Sequence, residues 1–182
     1  MRLPEGWNMV VTVREECFRS MRRVLGRLGT VGTTDFFNVL VLRTEDPTVA
    51  LETLRAWIET EPGARGCIGH VAPVATTFTF QSAEEFEEEV RRALEPRLAQ
   101  LAGKTFHVRL HRRGFKDRLS SHHAEAALGE WILEMLARAG TPASLSFDDT
   151  DVVVAIETLG QHAGLALRTR SDVARYPFLH TD

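Results

Sequence analysis

Residues 104–132 read KTFHVRLHRRGFKDRLSSHHAEAALGEWI, a predicted strand, loop and helix in direct succession. In the first part, Phe106, Val108 and Leu110 alternate with polar and basic residues, which is the pattern of a half-buried β-strand. In the last part apolar residues recur at helical spacing after Ser121, which is predicted to cap the helix. Gly129 lies inside this helix, and we expect it to allow close packing against another backbone.

The loop between this strand and helix is rich in cations. A Gly-containing loop that leads into a helix can gather guanidinium groups, hydroxyls and backbone N–H groups around a phosphate. Two interpretations stay open: a phosphate-binding loop, or a solvated loop whose cations pair with acids such as Asp117 or Glu125. The candidate RNA-binding residues here are Arg109, Arg112, Arg113, Lys116, Arg118, Ser120, Ser121 and His122.

The flanking sequence completes a second module over residues 82–175. Ser82 and Glu85 have the spacing of a capping box ahead of a helix that Pro96 should interrupt. Short strands are predicted over residues 144–147, 152–157 and 163–169, and the order becomes ααβαβββ. Arg168 and Arg170, on the last strand, are expected to neighbour the basic loop and to contact the same ligand.

The N-terminal part predicts a separate module over residues 5–80. Strands are expected over residues 8–13, 30–34, 36–42 and 68–80. One helix precedes Gly29, and a second begins at Asp46 and Pro47. The order βαββαβ is the split-βαβ or ferredoxin-like arrangement. The fold class is therefore expected to be α+β.

Composition limits the possible functions of the chain. Hydrophobic residues make up 43% and charged residues 26% of the sequence, and the formal net charge is −3. Any polyanionic partner must therefore be met by a local basic surface. Residues 101–182 contain ten basic residues, ten acidic residues and six of the seven histidines, so the C-terminal half is the expected anion-binding part.

The two cysteines, Cys17 and Cys67, have neither a disulfide-framework nor a metal-ligand spacing. We therefore expect buried, inert thiols and a cytoplasmic location. No run of apolar residues approaches the length of a membrane span, and no secretory signal precedes the first strand. His107 and His111 lie too far apart on one strand to share an ion, so no metal site is expected.

The stretch over residues 104–132, together with residues 144–160, SLSFDDTDVVVAIETLG, resembles a THUMP domain. This RNA-binding module occurs in tRNA 4-thiouridine synthetases, in tRNA and rRNA methyltransferases and in adaptors of tRNA cytidine acetylation. The resemblance covers about residues 82–170, and the family also carries an N-terminal ferredoxin-like module. The shared positions are Arg112, Arg113, Lys116, Ser121, Gly129, Asp151, Val152, Val154 and Glu157.

The resemblance implies a non-catalytic, cofactor-free tRNA-binding protein of the adaptor branch. It would present the acceptor stem and 3′ end of tRNA to a separately encoded modifying enzyme, such as a cytidine acetyltransferase. The sequence contains no Gly-rich phosphate or dinucleotide loop, and we expect no catalytic domain after residue 182. A second hypothesis is a protein–protein adaptor or regulatory subunit with weak or no RNA binding.

Overall fold

The computed structural model describes residues 1–179, which form two compact units. Unit 1 contains Met1–Ala75 together with residues 172–179, and unit 2 contains Thr76–Ser171. The fold class is α+β, as the sequence predicts. None of the helices in the described residues is long and apolar enough to cross a membrane.

Unit 1 contains one antiparallel sheet with the strand order β2-β3-β1-β4. Up to Ala75 its strands and α-helices follow one another as β1-α1-β2-β3-α2-α3-β4, which adds the short helix α3 to the predicted order. The strands are β1 (Met9–Val13), β2 (Thr30–Thr33), β3 (Val39–Arg43) and β4 (Ile68–Pro73). The helices are α1 (Phe18–Leu25), α2 (Pro47–Thr60) and α3 (Ala64–Cys67), and a 3-10 turn, Glu15–Cys17, precedes α1.

Helices α1 and α2 contribute to the same apolar core of unit 1. Alternate residues of the central strands, such as Val11 and Leu40, point to this core, where Met21 of α1 and Leu54 of α2 meet them. The Asp46 side chain caps α2 as predicted, because its carboxylate accepts hydrogen bonds from the first turn of the helix at 2.8 and 3.3 Å. Burial of these faces holds both helices on the sheet.

Two predicted strand boundaries of unit 1 are wrong. Residues 36–38 form a turn before β3, in which Asn38 adopts a left-handed conformation with φ 58° that Asn tolerates better than most residues. The predicted strand over residues 68–80 divides after Pro73, which has no N–H to continue a ladder. Its second part, β5 (Thr76–Thr79), joins the sheet of unit 2.

Cys17 and Cys67 form a disulfide bond, which contradicts the expectation of inert free thiols. Their Cα atoms lie 5.3 Å apart although 50 positions separate them in the chain. The bond joins the 3-10 turn before α1 to the end of α3. Spacing alone misled because it carries no information on which chain segments the fold brings together. Disulfides persist in oxidising compartments, so the cysteines give no support to a reducing cytosol.

The C-terminal segment of the described chain packs on unit 1. Tyr176 and Leu179 are buried in its core, and α6 (Arg170–Arg175) and a 3-10 turn (Pro177–Leu179) carry them there. Arg175 Nε and the Tyr176 hydroxyl each donate to Glu52 Oε1 at 2.5 Å. Hydrogen bonds from Arg175, Tyr176 and Arg55 hold the pKa of the Glu52 carboxyl at about 2.

Unit 2 contains a mixed sheet with the strand order β5-β9-β8-β6-β7. Strand β6 (Thr105–His111) pairs in parallel with β7 (Ser144–Leu145) and β8 (Val152–Leu159), while β9 (His162–Thr169) pairs antiparallel with β8 and β5. Helices α4 (Ala83–Leu94) and α5 (Ser121–Arg138) contribute to its apolar core. Phe106, Val108 and Leu110 of β6 point into that core, as the alternating pattern predicts.

The ends of α4 follow the sequence closely. Ser82 Oγ accepts a hydrogen bond from the Glu85 N–H at 3.1 Å, and the Glu85 carboxylate accepts one from the Gln81 N–H at 2.7 Å. This is the predicted capping box with its return bond shifted by one residue. The interruption at Pro96 takes the form of a 3-10 helix, Glu95–Leu101.

Gly129 of α5 does not pack against another backbone as expected. A Cβ at this position would lie 3.5 Å from the Leu145 side chain, which is an ordinary van der Waals distance. Gly29 of unit 1 is different, because a Cβ there would lie 2.1 Å from the carbonyl oxygen of Arg43. Close backbone approach therefore requires glycine at residue 29 and not at residue 129.

The disulfide should stabilise unit 1 mainly by constraining its unfolded chain. Closing a loop of this length contributes about 4 kcal/mol in the chain-entropy description, so we expect Cys17→Ser with Cys67→Ser to lower the free energy of unfolding by about 2–4 kcal/mol. Chemical denaturation of both proteins with and without reductant checks this. A parent protein whose stability is insensitive to reductant contradicts the pairing.

The two glycines should respond oppositely to alanine. Gly129→Ala should raise the free energy of unfolding by about 1 kcal/mol, since Ala loses less conformational entropy in a helix. Gly29→Ala should lower it, because the new methyl group meets the Arg43 carbonyl. Urea titration of both variants measures the two shifts, and stabilisation of both would refute the distinction.

Candidate nucleic-acid interface

The basic loop, residues 112–120, connects β6 to α5 through a turn with a left-handed backbone. Gly114 and Phe115 have φ values of 82° and 55°. The Phe115 carbonyl accepts hydrogen bonds from the N–H groups of Arg118 and Leu119 at 3.2 and 3.0 Å, which close the turn. A left-handed conformation costs a non-glycine residue about 1–2 kcal/mol, so other contacts must hold Phe115 in place.

Apolar contacts hold Phe115 and the end of the basic loop in place. The Phe115 ring lies edge-on to Phe80, with ring centroids 5.3 Å apart, and Leu119 is buried in the core of unit 2. Between these two anchors the chain turns outward and exposes Lys116, Asp117 and Arg118. The apolar residues of the loop therefore determine that its charged residues face solvent.

Arg112 links the two ends of the basic loop. Its Nε donates to Ser121 Oγ at 3.3 Å, and its Nη1 donates to the Gly114 carbonyl at 3.0 Å. Because both acceptors are neutral, the positive charge of the guanidinium is not cancelled by either contact. The side chain is half-buried, so it is held in position with its charge at the surface.

Lys116 and Arg118 complete the exposed basic surface. The Arg118 guanidinium lies 5.3 Å from the centroid of the Phe115 ring in a cation–π contact, which leaves its charge intact. Within the described chain neither residue forms an ion pair. Asp117 pairs with neither, and the Glu125 carboxylate instead accepts the N–H of Leu110 at 2.7 Å. For Lys116 and Arg118, the alternative of pairing with these two acids is therefore not what the structure contains.

The start of α5 adds further donors beside the loop. Ser120, rather than the predicted Ser121, caps the helix, and its Oγ accepts the N–H of His123 at 3.3 Å. The Ser121 hydroxyl is free for this reason to accept from Arg112. His122 is exposed in the first turn, where the positive end of the helix dipole attracts anions.

Arg113 and Arg168 lie apart from the exposed surface. Arg113 Nη1 donates to Glu157 Oε2 at 2.5 Å, and Arg168 Nη2 lies 3.6 Å from Glu157 Oε1. All three side chains are buried, with exposures of 9%, 3% and 1% for Arg113, Arg168 and Glu157. Burial lowers the pKa of the Arg168 guanidinium, and the Glu157 carboxylate opposes this shift. The structure therefore assigns these two arginines a structural ion pair rather than exposed contacts.

Arg170 does not neighbour the basic loop. It lies just after β9 at the Thr105 end of β6, where its guanidinium contacts Asp149 at 2.6 Å and Asp151 at 3.1 Å. The hydrogen bond and negative charge of Asp149 raise the pKa of the Arg170 guanidinium, and Asp151 adds a smaller effect. The length of β6, about 20 Å at 3.3 Å per residue, separates this end of the sheet from Arg112. The pairing of β9 with β8 sets this position, and the charge pattern of the sequence does not contain it.

Arg109, a predicted site residue, and His107 both lie on β6. Arg109 is half-buried on β6 opposite Ala155 of β8, so it lies beside the loop rather than in it. His107, two residues earlier, stacks on Phe147 with ring centroids 5.3 Å apart, and its Nδ1 lies 2.9 Å from Thr150 Oγ1. Burial lowers the pKa of this imidazole.

One residue of β8 indicates the buried ion pair from the sequence alone. Glu157 lies among apolar residues of the strand VVVAIETL, and a carboxylate inside a buried strand requires a cationic partner. In the structure Arg113, just after β6, and Arg168 of β9 lie within ion-pair distance of this carboxylate.

The chain matches no protein-family model and no curated protein sequence. Its fold is nevertheless similar to solved structures. PH1313 from Pyrococcus horikoshii Ot3 is 15% identical to it with a TM-score of 0.60, over 89% of this chain and 54% of PH1313.

Two further structures have comparable similarity. A 4-thiouridine synthetase, in a complex with RNA and bound ATP, is 16% identical with a TM-score of 0.56, over 89% of this chain and 41% of the synthetase. TrmN from Thermus thermophilus is 19% identical with a TM-score of 0.56, over 88% of this chain and 44% of TrmN.

This chain spans about half of PH1313 and less than half of the other two proteins. Identities this low establish a likeness of fold alone. The similarity of this chain to these three structures supports the THUMP-like fold expected from the sequence of residues 82–170.

The buried ion pair should be essential to unit 2. Glu157→Gln removes the carboxylate that both buried arginines contact, so we expect the free energy of unfolding to fall by about 3–5 kcal/mol. Glu134→Gln is the matched control, because Glu134 pairs with Arg138 on the exposed face of α5 and should leave stability unchanged. Denaturant titration compares the variants, and equal stabilities would contradict the structural role of Glu157.

Proposed function

We propose that this protein is a non-catalytic RNA-binding adaptor of the THUMP type. In this proposal it binds tRNA and presents it to a separately encoded modifying enzyme, such as a cytidine acetyltransferase. Unit 1 would be its ferredoxin-like module, which the antiparallel order β2-β3-β1-β4 supports. The lack of a Gly-rich phosphate or dinucleotide loop supports the non-catalytic part.

The observation that carries RNA binding is the exposed charge of the basic loop. Arg112 is fixed between two neutral acceptors, while Lys116 and Arg118 lack ion-pair partners among residues 1–179. The loop ends at the N-terminus of α5, which adds backbone donors and the dipole of a long helix. Guanidinium groups and helix N-termini both bind phosphate oxygens, so the surface suits a nucleic-acid backbone.

The fold comparison supports the same proposal. One structure of similar fold, the 4-thiouridine synthetase, is a complex with RNA. With a net charge of −3, this chain cannot attract RNA by its overall field. Binding would therefore depend on few phosphate contacts, and recognition would follow RNA shape and backbone more than base sequence.

A second candidate function is that of a protein–protein adaptor with weak or no RNA binding. Two exposed apolar side chains in and after β7 favour it, since Leu145 is 45% and Phe147 is 74% exposed. Recovery of a partner protein that survives nuclease treatment, together with salt-independent binding, would support this function instead.

The proposal predicts how loop variants bind tRNA. Lys116→Ala with Arg118→Ala should weaken binding about tenfold or more at low salt and should reduce the slope of log K against log[salt] by about 2, roughly one per lost phosphate contact. Titration of fluorescent tRNA at several salt concentrations measures both quantities. The loss should be similar for different tRNAs.

Arg91→Ala with Arg92→Ala is the matched control. It removes the same charge from α4, where these arginines pair with Glu87 and Glu89. The control should bind as the parent does. Arg113 is unsuitable for this test, because its substitution would remove a cation that pairs with the buried Glu157 carboxylate and would lower stability as well. If the loop variant binds tRNA with unchanged affinity and salt slope, the basic loop is not a phosphate-binding surface.

A further inference from the structure

One face of α1 in unit 1 carries a dense set of arginines. Residues 17–34 contain four arginines and no acidic residue, although the whole chain has more acidic than basic residues. All four side chains are exposed. We call this set the arginine stripe: Arg19, Arg22, Arg23 and Arg27.

Helical geometry aligns the stripe. Met21 and Leu25 bury the opposite face of α1 in the core of unit 1. The helical turn continues past Leu25, because the Arg27 N–H donates to the Val24 carbonyl at 3.1 Å. Arg19, Arg23 and Arg27 therefore follow one another at four-residue spacing, about 6 Å of axial rise per step.

The stripe differs from the arginines of helices α2, α4 and α5. Arg55 of α2, Arg91 of α4 and Arg138 of α5 each pair with a Glu four positions away on the same helix. Within residues 1–179, no carboxylate lies within ion-pair distance of any stripe arginine.

Helix stability does not account for the stripe. Cations in the last turn interact favourably with the helix dipole, which explains Arg22 and Arg23. Arg19 lies in the first turn, where the same dipole disfavours a cation. The four charges also repel one another, so their concentration costs stability unless a polyanion balances it.

The stripe leads into an open groove beside the end of α1. The groove has a volume of about 770 Å³, and Arg27, Arg43 and Thr30 contribute to its lining. Arg43 Nη1 donates to the Glu5 carbonyl at 2.9 Å, which leaves its charge uncancelled. Two acidic residues, Glu45 and Asp46, also line the groove, and the Asp46 carboxylate is occupied by capping α2.

We propose that the arginine stripe is a second binding surface for the phosphate backbone of RNA. Guanidinium groups bind phosphate in a bidentate manner, and a row of them one helical turn apart suits the regular repeat of phosphates along a strand. We take RNA as the occupant because several phosphates of one strand can contact the arginines at once and because the basic loop already gives this chain an expected RNA partner. The inference rests on the proposed function and adds unit 1 to the RNA-binding surface.

A neutralising variant tests the stripe in the full chain. Arg19→Gln, Arg23→Gln and Arg27→Gln together should lower tRNA affinity at least about tenfold at 0.1 M salt and reduce the salt slope by about 2 to 3. Gln retains nearly the helix propensity of Arg, so α1 should stay folded. The control combines Arg91→Gln, Arg92→Gln and Arg138→Gln, which changes net charge equally at paired arginines.

Two comparisons separate the possible outcomes. The same three positions changed to Lys should keep the salt slope of the parent, because charge is retained, and should bind tRNA more tightly than the Gln variant. A stripe variant that binds tRNA like its control overturns the inference, and if Lys116→Ala with Arg118→Ala still weakens binding, the proposed function stands. If neither variant weakens tRNA binding, both the inference and the proposed function are wrong. If only the stripe variant weakens binding, the stripe is supported as an RNA-binding surface and the basic loop is not.

Discussion

The buried Glu157 carboxylate constrains the whole of unit 2. A carboxylate in the interior of a strand must be paired, and Arg113 and Arg168 supply the charge from the end of β6 and from β9. Because Arg113 is drawn inward at the first residues of the basic loop, the following residues turn outward at Gly114 and Phe115. The ion pair and the Phe115 anchor thus orient the exposed cations of the loop together.

Burial and pairing divide the cations of this chain into different roles. Arg113 and Arg168 are buried and paired with Glu157. Arg170 pairs with two aspartates at the opposite end of β6 from the basic loop. Arg112 is fixed by neutral acceptors and keeps its charge at the surface. A cluster of basic residues in a sequence therefore overstates the charge that a ligand meets, and the neighbours of each guanidinium decide how much remains.

The sequence predicts the local elements of this fold well. The alternation in β6, the Asp46 cap of α2 and the Ser82 capping box depend on residues close together in the chain, and the structure contains all three. The disulfide, the Glu157 ion pair and the position of Arg170 depend on pairing between distant segments, which local patterns do not encode.

The candidate site was predictable only in part for the same reason. The basic loop and its helix were visible as a motif, whereas counting charge over half of the chain concealed the arginine stripe of α1. Acidic residues outside the segment of residues 17–34 offset the four arginines in the net charge of the N-terminal half.

The chain enters unit 2 at residue 76 and returns to unit 1 at residue 172, so unit 2 is an insertion into unit 1. Tyr176 and Leu179 complete a core whose other members precede residue 75. During synthesis on the ribosome, the contiguous unit 2 has all of its residues available before unit 1 does. The N-terminal module, although its first residues are translated first, therefore acquires the core side chains Tyr176 and Leu179 only after unit 2 has been translated.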